Sequence, residues 1–211
     1  MNYREKLQNE FDDILAEYKS ALRLTLARIT NLKEMMERTR ERSPFDSIDS
    51  RIKTFDSILE KCERRGYDAT IETIKEKICD IAGIRIITPF RDDIYTVANM
   101  LERIPGINII SKKDYVKEPK ANGYRSLHLR VQIEVYSPVN GSKLIPVEIQ
   151  IRDKAMDLWA TLEHIVKYKN DDPSPTVSEQ FKHIADVLSQ FDNMAIEVRD
   201  FSSTEDSTVI E

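Results

Sequence analysis

Two runs in the second half of the chain, RSLHLRVQIEVY (Arg125–Tyr136) and LIPVEIQIR (Leu144–Arg152), alternate apolar and polar residues on either side of the turn SPVNGSK. Residues two apart in extended backbone share a face. Leu127, Leu129 and Val131 therefore join Val147, Ile149 and Ile151 on one side, which must be covered. Ser126, His128 and Arg130 join Glu148, Gln150 and Arg152 on the other. The Asn140-Gly141 pair suits a tight turn between the runs. A chain carrying this pair is committed to a sheet with one apolar and one polar face.

The surrounding segments extend that sheet and supply its cover. GIRIITPF (Gly83–Phe90) is β-branched, ends in proline and reads as a strand; RDDIYTVANMLERI reads as a helix stopped at Pro105-Gly106, and INIISKKDY as another strand. Near the N-terminus Phe11, Ile14, Leu15, Tyr18, Leu22, Leu26, Ile29, Leu32 and Met36 recur in steps of three and four. That spacing predicts one long helix ending near Arg42, before Ser43-Pro44. A second helix is expected over Ile48–Arg65, closed by Gly66, and a third over Asp68–Ile78. After the sheet, Asp153–Lys169 reads as a helix with Met156, Trp159, Leu162, Ile165 and Val166 as its apolar stripe. DDPSPT reads as a linker, Val177–Phe201 as a last amphipathic helix, and residues 202–211 as a disordered tail. At 211 residues the whole suits one α/β domain with a mixed sheet. Residues 1–79 should be mainly helical, 80–169 should form the α/β core, and 177–201 the terminal helix.

Composition narrows the partners. Net charge is −5, which argues against a generic binder of DNA or other long polyanions. Between Lys112 and Arg130, however, six Lys or Arg face two acids, Asp114 and Glu118. Such a local patch on an acidic chain suits a small phosphorylated ligand. No apolar run reaches a membrane span and the N-terminus lacks a signal-like apolar stretch, so a cytoplasmic, membrane-free protein is expected. Cys62 and Cys79 form no CxxC and read as free thiols. No GxGxxG, GxxxxGK[ST] or GxSxG is present, and His128, His164 and His183 lie too far apart for a local zinc motif.

What chemistry remains lies on the polar face. Arg85, Arg130 and Arg152 come from three strands. Arginine is shaped for phosphate oxygens, and neighbouring arginines repel unless an anion lies between them. A solvated sheet face would account for any one of these strands, but the set of three points to a polyphosphate. Asp80, just before the first strand, and Glu148, within the last, are candidate ligands for Mg²⁺, which characteristically takes one or two carboxylates plus phosphates and waters. An exposed strand acid and a turn residue are the plain alternatives. Arg51, Lys53, Ser57, Lys61 and Arg64 fall at spacings that align several of them along one helix side, which becomes a site only if that helix flanks the polar face.

Together DIAGIRI (80–86), KANGYRSLHL (120–129), VEIQIR (147–152) and LWATLEHIVKYK (158–169), preceded by RIKTFDSILEK (51–61), resemble the synthetase domain of the RelA/SpoT family. The short helical flanks are similar to those of its single-domain members, the small alarmone synthetases. The resemblance implies a nucleotidyltransferase-like α/β (α+β) fold with about five strands and long terminal helices. It also implies Mg²⁺-dependent transfer of pyrophosphate from ATP to the ribose 3′-hydroxyl of GDP or GTP, giving (p)ppGpp and AMP. Carried over residue by residue, Arg51, Lys53, Ser57, Lys61, Arg64 and Arg85 would bind ATP. Asp80 and Glu148 would hold the metal, with Glu148 helping to deprotonate the attacking hydroxyl and Arg85 completing the catalytic set. Tyr124, presented by the turn at Gly123, would stack on guanine, with Lys120, His128, Gln150 and Asp157 on the acceptor side. Asp153 and Asp157 depart from the Thr and Asn usual in relatives, and Asp157 puts a carboxylate where an amide is expected. The resemblance further implies a homo-oligomer, a tetramer, with (p)ppGpp or single-stranded RNA as allosteric ligands. Another acceptor, such as an adenine nucleotide or a tRNA 3′ end, and a non-catalytic nucleotide- or RNA-binding regulator are the alternatives.

Overall fold

The computed structural model describes residues 2–39, 42–138, 141–169 and 175–206. Helix α1 (Tyr3–Thr39) leads into β1 (Ser47–Ile52), α2 (Phe55–Arg65), α3 (Ile71–Lys77), β2 (Ala82–Thr88), α4 (Asp93–Leu101), β3 (Asn108–Asp114), β4 (Leu127–Ser137), β5 (Gly141–Asp153), α5 (Lys154–Lys169) and α6 (Pro175–Asp206). The sheet has five strands in the order β1-β2-β5-β4-β3. β2 and β5 pair in parallel and the other pairs are antiparallel, so the sheet is mixed as expected. Leu127, Leu129 and Val131 on β4 and Val147, Ile149 and Ile151 on β5 are all fully buried. They are covered by α1, through Phe11, Tyr18, Leu22 and Ile29, and by α4, through Ile94, Val97 and Leu101. The opposite face carries the polar residues.

The expected helix over Ile48–Arg65 is instead a strand followed by a shorter helix. Ser47–Ile52 lies antiparallel on β2, and Lys53 N–H still donates to the Ile81 carbonyl at 2.8 Å. Thr54 then caps α2, its hydroxyl accepting from Ser57 N–H at 3.3 Å. Arg51 and Lys53 consequently sit on and just past a strand, not on the helix. α3 is shorter than expected, starting after its cap Thr70 and ending at Lys77. α1 is described to Thr39, and Arg40 and Glu41, near its expected end, lie outside the described residues. Asn140 of the expected turn and residues 207–211 of the expected tail do too, whereas α6 continues past Phe201 to Asp206. Most of the expected linker also lies outside, and its Pro175 opens α6, a position where its missing N–H costs nothing.

On α5, Met156 and Trp159 are buried with Phe181 and Ala185 in a small second core, but Leu162 and Ile165, expected in the same stripe, are exposed. α6 is held by polar contacts as well. Arg91 donates to Ser189 Oγ at 2.8 Å and to Asn193 Oδ1. Beside them Asp153 and Asp192 are both buried. Asp153 accepts from Met156 N–H at 2.7 Å, so it serves as a cap at the start of α5. Burial, then the charge of Asp153, pushes the Asp192 carboxyl up to about 7. The folded chain therefore keeps a proton that the unfolded chain releases near its ordinary 3.8, and stability falls as pH rises between those values. Asp192→Asn keeps a donor toward Asp153 without the charge. It should stabilise the protein at pH 8 by on the order of 2 kcal/mol, roughly 5 °C, and change little at pH 4. Thermal unfolding at both pH values checks this.

Candidate active site

The strand registers assemble the polar face into two rows running across all five strands. One runs Asp49, Arg85, Gln150, His128, Lys113; the next runs Arg51, Gly83, Glu148, Arg130, Ser111. Gly83 leaves a gap between Arg51 and Glu148: a Cβ there would meet nothing nearer than the Arg51 carbonyl oxygen at 3.9 Å. That gap opens into a cavity of about 590 Å³ lined by Arg51, Asp80, Arg85, Glu148, Gln150 and Arg152 from the sheet side and by Thr161 and His164 from α5.

Three carboxylates line this cavity: Asp49 is paired with Arg85, and the other two, Asp80 and Glu148, lie in unlike settings. Asp80 accepts from Lys53 Nζ at 2.8 Å and Lys61 Nζ at 2.7 Å. Burial alone would raise its pKa, but these two ammonium groups outweigh burial and hold it below the ordinary value. Glu148 accepts from Gln150 Nε2 at 2.7 Å and lies 3.6 Å from His128 Nδ1. Burial again opposes, yet the His128 and Gln150 contacts hold the carboxyl below its usual range. Both groups are thus anionic at neutral pH. Among the described residues no cluster of three or more His, Cys, Asp or Glu forms a metal cage. Two anionic carboxylates at one cavity fit a hard cation that takes its remaining ligands from phosphate and water.

The cations around them are positioned by their own partners. Arg85 Nη2 donates to Asp49 Oδ2 at 3.1 Å, and its Nε lies 3.9 Å from Asp157. Arg152, only 5% exposed, ion-pairs with the same Asp157 at 2.5 Å. Asp157 therefore stands between two arginines, where it removes part of their charge and holds them in place.

Next to Glu148 the face becomes aromatic. His128 Nε2 is 3.4 Å from the Tyr124 hydroxyl, and its ring meets those of Tyr115 and Tyr124 edge-on at 5.2 and 6.1 Å. Lys120 Nζ sits 4.7 Å from each tyrosine ring centroid, between them. Burial lowers the Lys120 pKa, with Glu148 acting against it.

Of the residues expected at the site, Arg51, Asp80, Arg85, Glu148 and Gln150 line the cavity directly. Lys53 and Lys61 reach it through Asp80, Asp157 through Arg85, His128 through Glu148, and Tyr124 and Lys120 through His128 and one another. Ser57 and Arg64 lie one turn either side of Lys61 on the same stripe of α2, so that helix does flank the polar face. Ser57 is tied to the Thr54 cap and Arg64 is exposed. Asp49, Tyr115, Thr161 and His164 were not expected. Thr161 and His164 follow Asp157 by four and seven residues, a helical stripe that spacing could have found. Asp49 was hidden by the misread strand, and Tyr115 carries no local signal.

Residues 50–173 match the model of the region found in RelA/SpoT proteins. The chain belongs to the RelA/SpoT family. Among its members it is 35% identical to the GTP pyrophosphokinase YwaC of Bacillus subtilis, over 94% of this chain and 95% of that protein. It is 34% identical to the GTP pyrophosphokinase YjbM of the same organism, over 90% of this chain and 89% of that one. In structure this RelA/SpoT chain resembles small alarmone synthetase 1 of B. subtilis bound to its product pppGpp, with a TM-score of 0.83 and 32% identity over 90% of this chain and 97% of that one. A GTP pyrophosphokinase family protein of Streptococcus pneumoniae superimposes with a TM-score of 0.83, also at 32% identity, over 96% of this chain and 98% of that one.

Proposed function

We propose that the protein is a GTP pyrophosphokinase, transferring pyrophosphate from ATP to the ribose 3′-hydroxyl of GDP or GTP to give (p)ppGpp and AMP. The observation that carries this is the cavity itself. Two anionic carboxylates, Asp80 and Glu148, share it with Arg51 and Arg85, immediately beside an aromatic loop, in a chain whose relatives are GTP pyrophosphokinases over nearly their whole length. Paired carboxylates among phosphate-seeking arginines favour a metal-assisted transfer over binding of a nucleotide alone.

ATP lies along Arg51, Lys53, Lys61 and Arg85, with Ser57 and Arg64 extending the same basic side. Lys53 and Lys61 exchange Asp80 for phosphate oxygens as the nucleotide enters. Asp80 and Glu148 would hold Mg²⁺, which when bound supplies charge neutralisation at the transferring phosphates. Glu148 accepts the proton of the 3′-hydroxyl as that oxygen attacks the β-phosphorus and the bridge to the α-phosphate breaks, releasing AMP. Gln150 and His128 orient Glu148 through the contacts described above. Asp157, on the acceptor side, holds Arg152 and reaches Arg85 of the ATP side. The ring of Tyr124 receives guanine once Lys120 moves off it.

Incubation with ATP, Mg²⁺ and GDP or GTP should yield AMP and a 3′-pyrophosphorylated nucleotide. Failure to form either would leave a nucleotide- or RNA-binding regulator. Adenine nucleotides and a tRNA 3′ end in the same assay test the other acceptors, against which the guanine-directed relatives speak. Tyr124→Ala should raise the acceptor KM about 5- to 150-fold, as expected for a lost stack of roughly 1–3 kcal/mol, with the ATP KM within about twofold. A selective loss of ATP affinity would contradict the assignment.

A tetramer is the proposed assembly. α6 leaves Ile184, Val187, Phe191, Met194 and Val198 exposed at steps of three and four, a seam suited to another helix. Light scattering after size exclusion tests it. No described helix is long and apolar enough to cross a membrane. The proposed place of action is the cytoplasm, with (p)ppGpp or single-stranded RNA as allosteric ligands.

A further inference from the structure

The loop that bears Tyr124 is seated on α6, not only on the sheet. Lys120–Tyr124 is a tight turn in which Gly123 N–H donates to the Lys120 carbonyl at 2.8 Å and Lys120 N–H to the Tyr124 carbonyl at 3.1 Å. Gly123 has φ +88°, and a Cβ placed on it would lie 2.6 Å from the Ala185 Cβ and 3.5 Å from the Lys182 backbone. Glycine is required here twice over, for its backbone angle and for this close approach. Arg125 ties the contact shut: its Nη1 donates to the carbonyls of Gly123 and Ala185, both at 3.1 Å, and its Nη2 to Asp186 Oδ1 at 3.1 Å. Behind the loop, Trp159 donates from Nε1 to the Phe181 carbonyl at 2.8 Å and packs 6.0 Å from the Tyr124 ring. On the other flank Asn122 donates to Glu163 Oε1 on α5 at 2.7 Å.

We infer that the Phe181–Asp186 turn of α6 is the seat that sets the height of the Tyr124 ring, and that Ala185 and Arg125 are positioning residues for the acceptor nucleotide. The contact is backbone against a single methyl group, so it transmits displacement with little slack. A larger side chain at position 185 lifts Gly123 and moves Tyr124 relative to Glu148. Loss of the Arg125 fork leaves the turn free to shift. The ion pairs of Lys53 and Lys61 run to Asp80 and not to this seat, so binding of the donor nucleotide is expected to be little affected. The inference rests on the reading that Tyr124 receives the acceptor base.

Trp159 is the only tryptophan in the chain and touches both the Tyr124 ring and α6, so its emission reports on the loop directly. Ala185→Val should raise the acceptor KM about tenfold, leave the ATP KM within about twofold, and weaken the GDP-induced change in Trp159 emission in the absence of ATP. Arg125→Gln should act the same way and Arg125→Lys should recover part of the loss, which guards against a folding defect in the valine variant. Unchanged acceptor KM in Ala185→Val and Arg125→Gln, with the parent protein active, would overturn the seat alone. Equal losses for ATP and acceptor would also overturn it, since a merely structural role predicts them. A parent protein that transfers nothing to guanine nucleotides would instead overturn the functional reading.

Discussion

Glu148→Gln is expected to lower turnover about 10³-fold, with the thermal midpoint shifted by no more than a few degrees. The amide is the same size and can still accept from Gln150 Nε2, which now lies 2.7 Å from the carboxylate, so the local packing survives. What is lost is one negative charge among Arg51, Arg85 and Arg130, and with it both a cation ligand and the acceptor for the hydroxyl proton. The pH dependence separates this role from others. Because His128 and Gln150 hold the carboxyl below its ordinary 4.5 in spite of burial, Glu148 is already ionised above that value. It therefore contributes no acid limb to turnover at pH 5 and above, and any limb there belongs to another group. Steady-state rates from pH 5 to 9, with circular dichroism to confirm folding, check both points. Turnover within tenfold of the parent would remove Glu148 from the chemistry.

The polar face could be read from the sequence because a strand's periodicity is local: six residues of VEIQIR suffice to place Glu148, Gln150 and Arg152 together. The strand at Ser47–Ile52 could not. Its two isoleucines, Ile48 and Ile52, are four apart and fit a helix as well as a strand, and the helix-forming residues of α2 follow at once. Only the pairing of Asp49 with Arg85 and of Ser50 with Ile84, partners more than thirty residues away in sequence, makes it an edge strand. The role of Asp157 was half legible for a similar reason. Its place on α5, and the acceptor-side role proposed for it, follow from the resemblance to the family's motif. Its ion pairs with Arg152 and Arg85, however, depend on how tightly α5 turns back over β5 and β2, which no side-chain pattern encodes. The docking of Gly123 against Ala185 was beyond reach, since one methyl group on an amphipathic helix looks like any other.

Asp80→Asn should have effects of opposite sign on binding and on catalysis. In the unliganded protein Asp80 holds Lys53 and Lys61, three side chains only 16–23% exposed. Removing its charge leaves two ammonium groups without a counter-ion, at a cost of about 1–3 kcal/mol once the remaining exposure is allowed for, or roughly 3–8 °C. Its carboxyl lies below the ordinary 3.8, so this stabilisation is complete from pH 5 upward and disappears as acid protonates it. The thermal gap between parent and variant should close accordingly. ATP without metal meets a different balance. In the parent its phosphates must compete with Asp80 for Lys53 and Lys61, whereas in the variant both lysines are free to receive them. The variant should therefore bind ATP more tightly in EDTA, by about three- to tenfold, while turning over about 10²-fold more slowly in Mg²⁺ because a cation ligand is gone. Calorimetric titration in EDTA and a Mg²⁺ titration of the rate give the two signs separately. Weaker ATP binding in EDTA would show that Asp80 arranges the lysines for the nucleotide rather than competing with it.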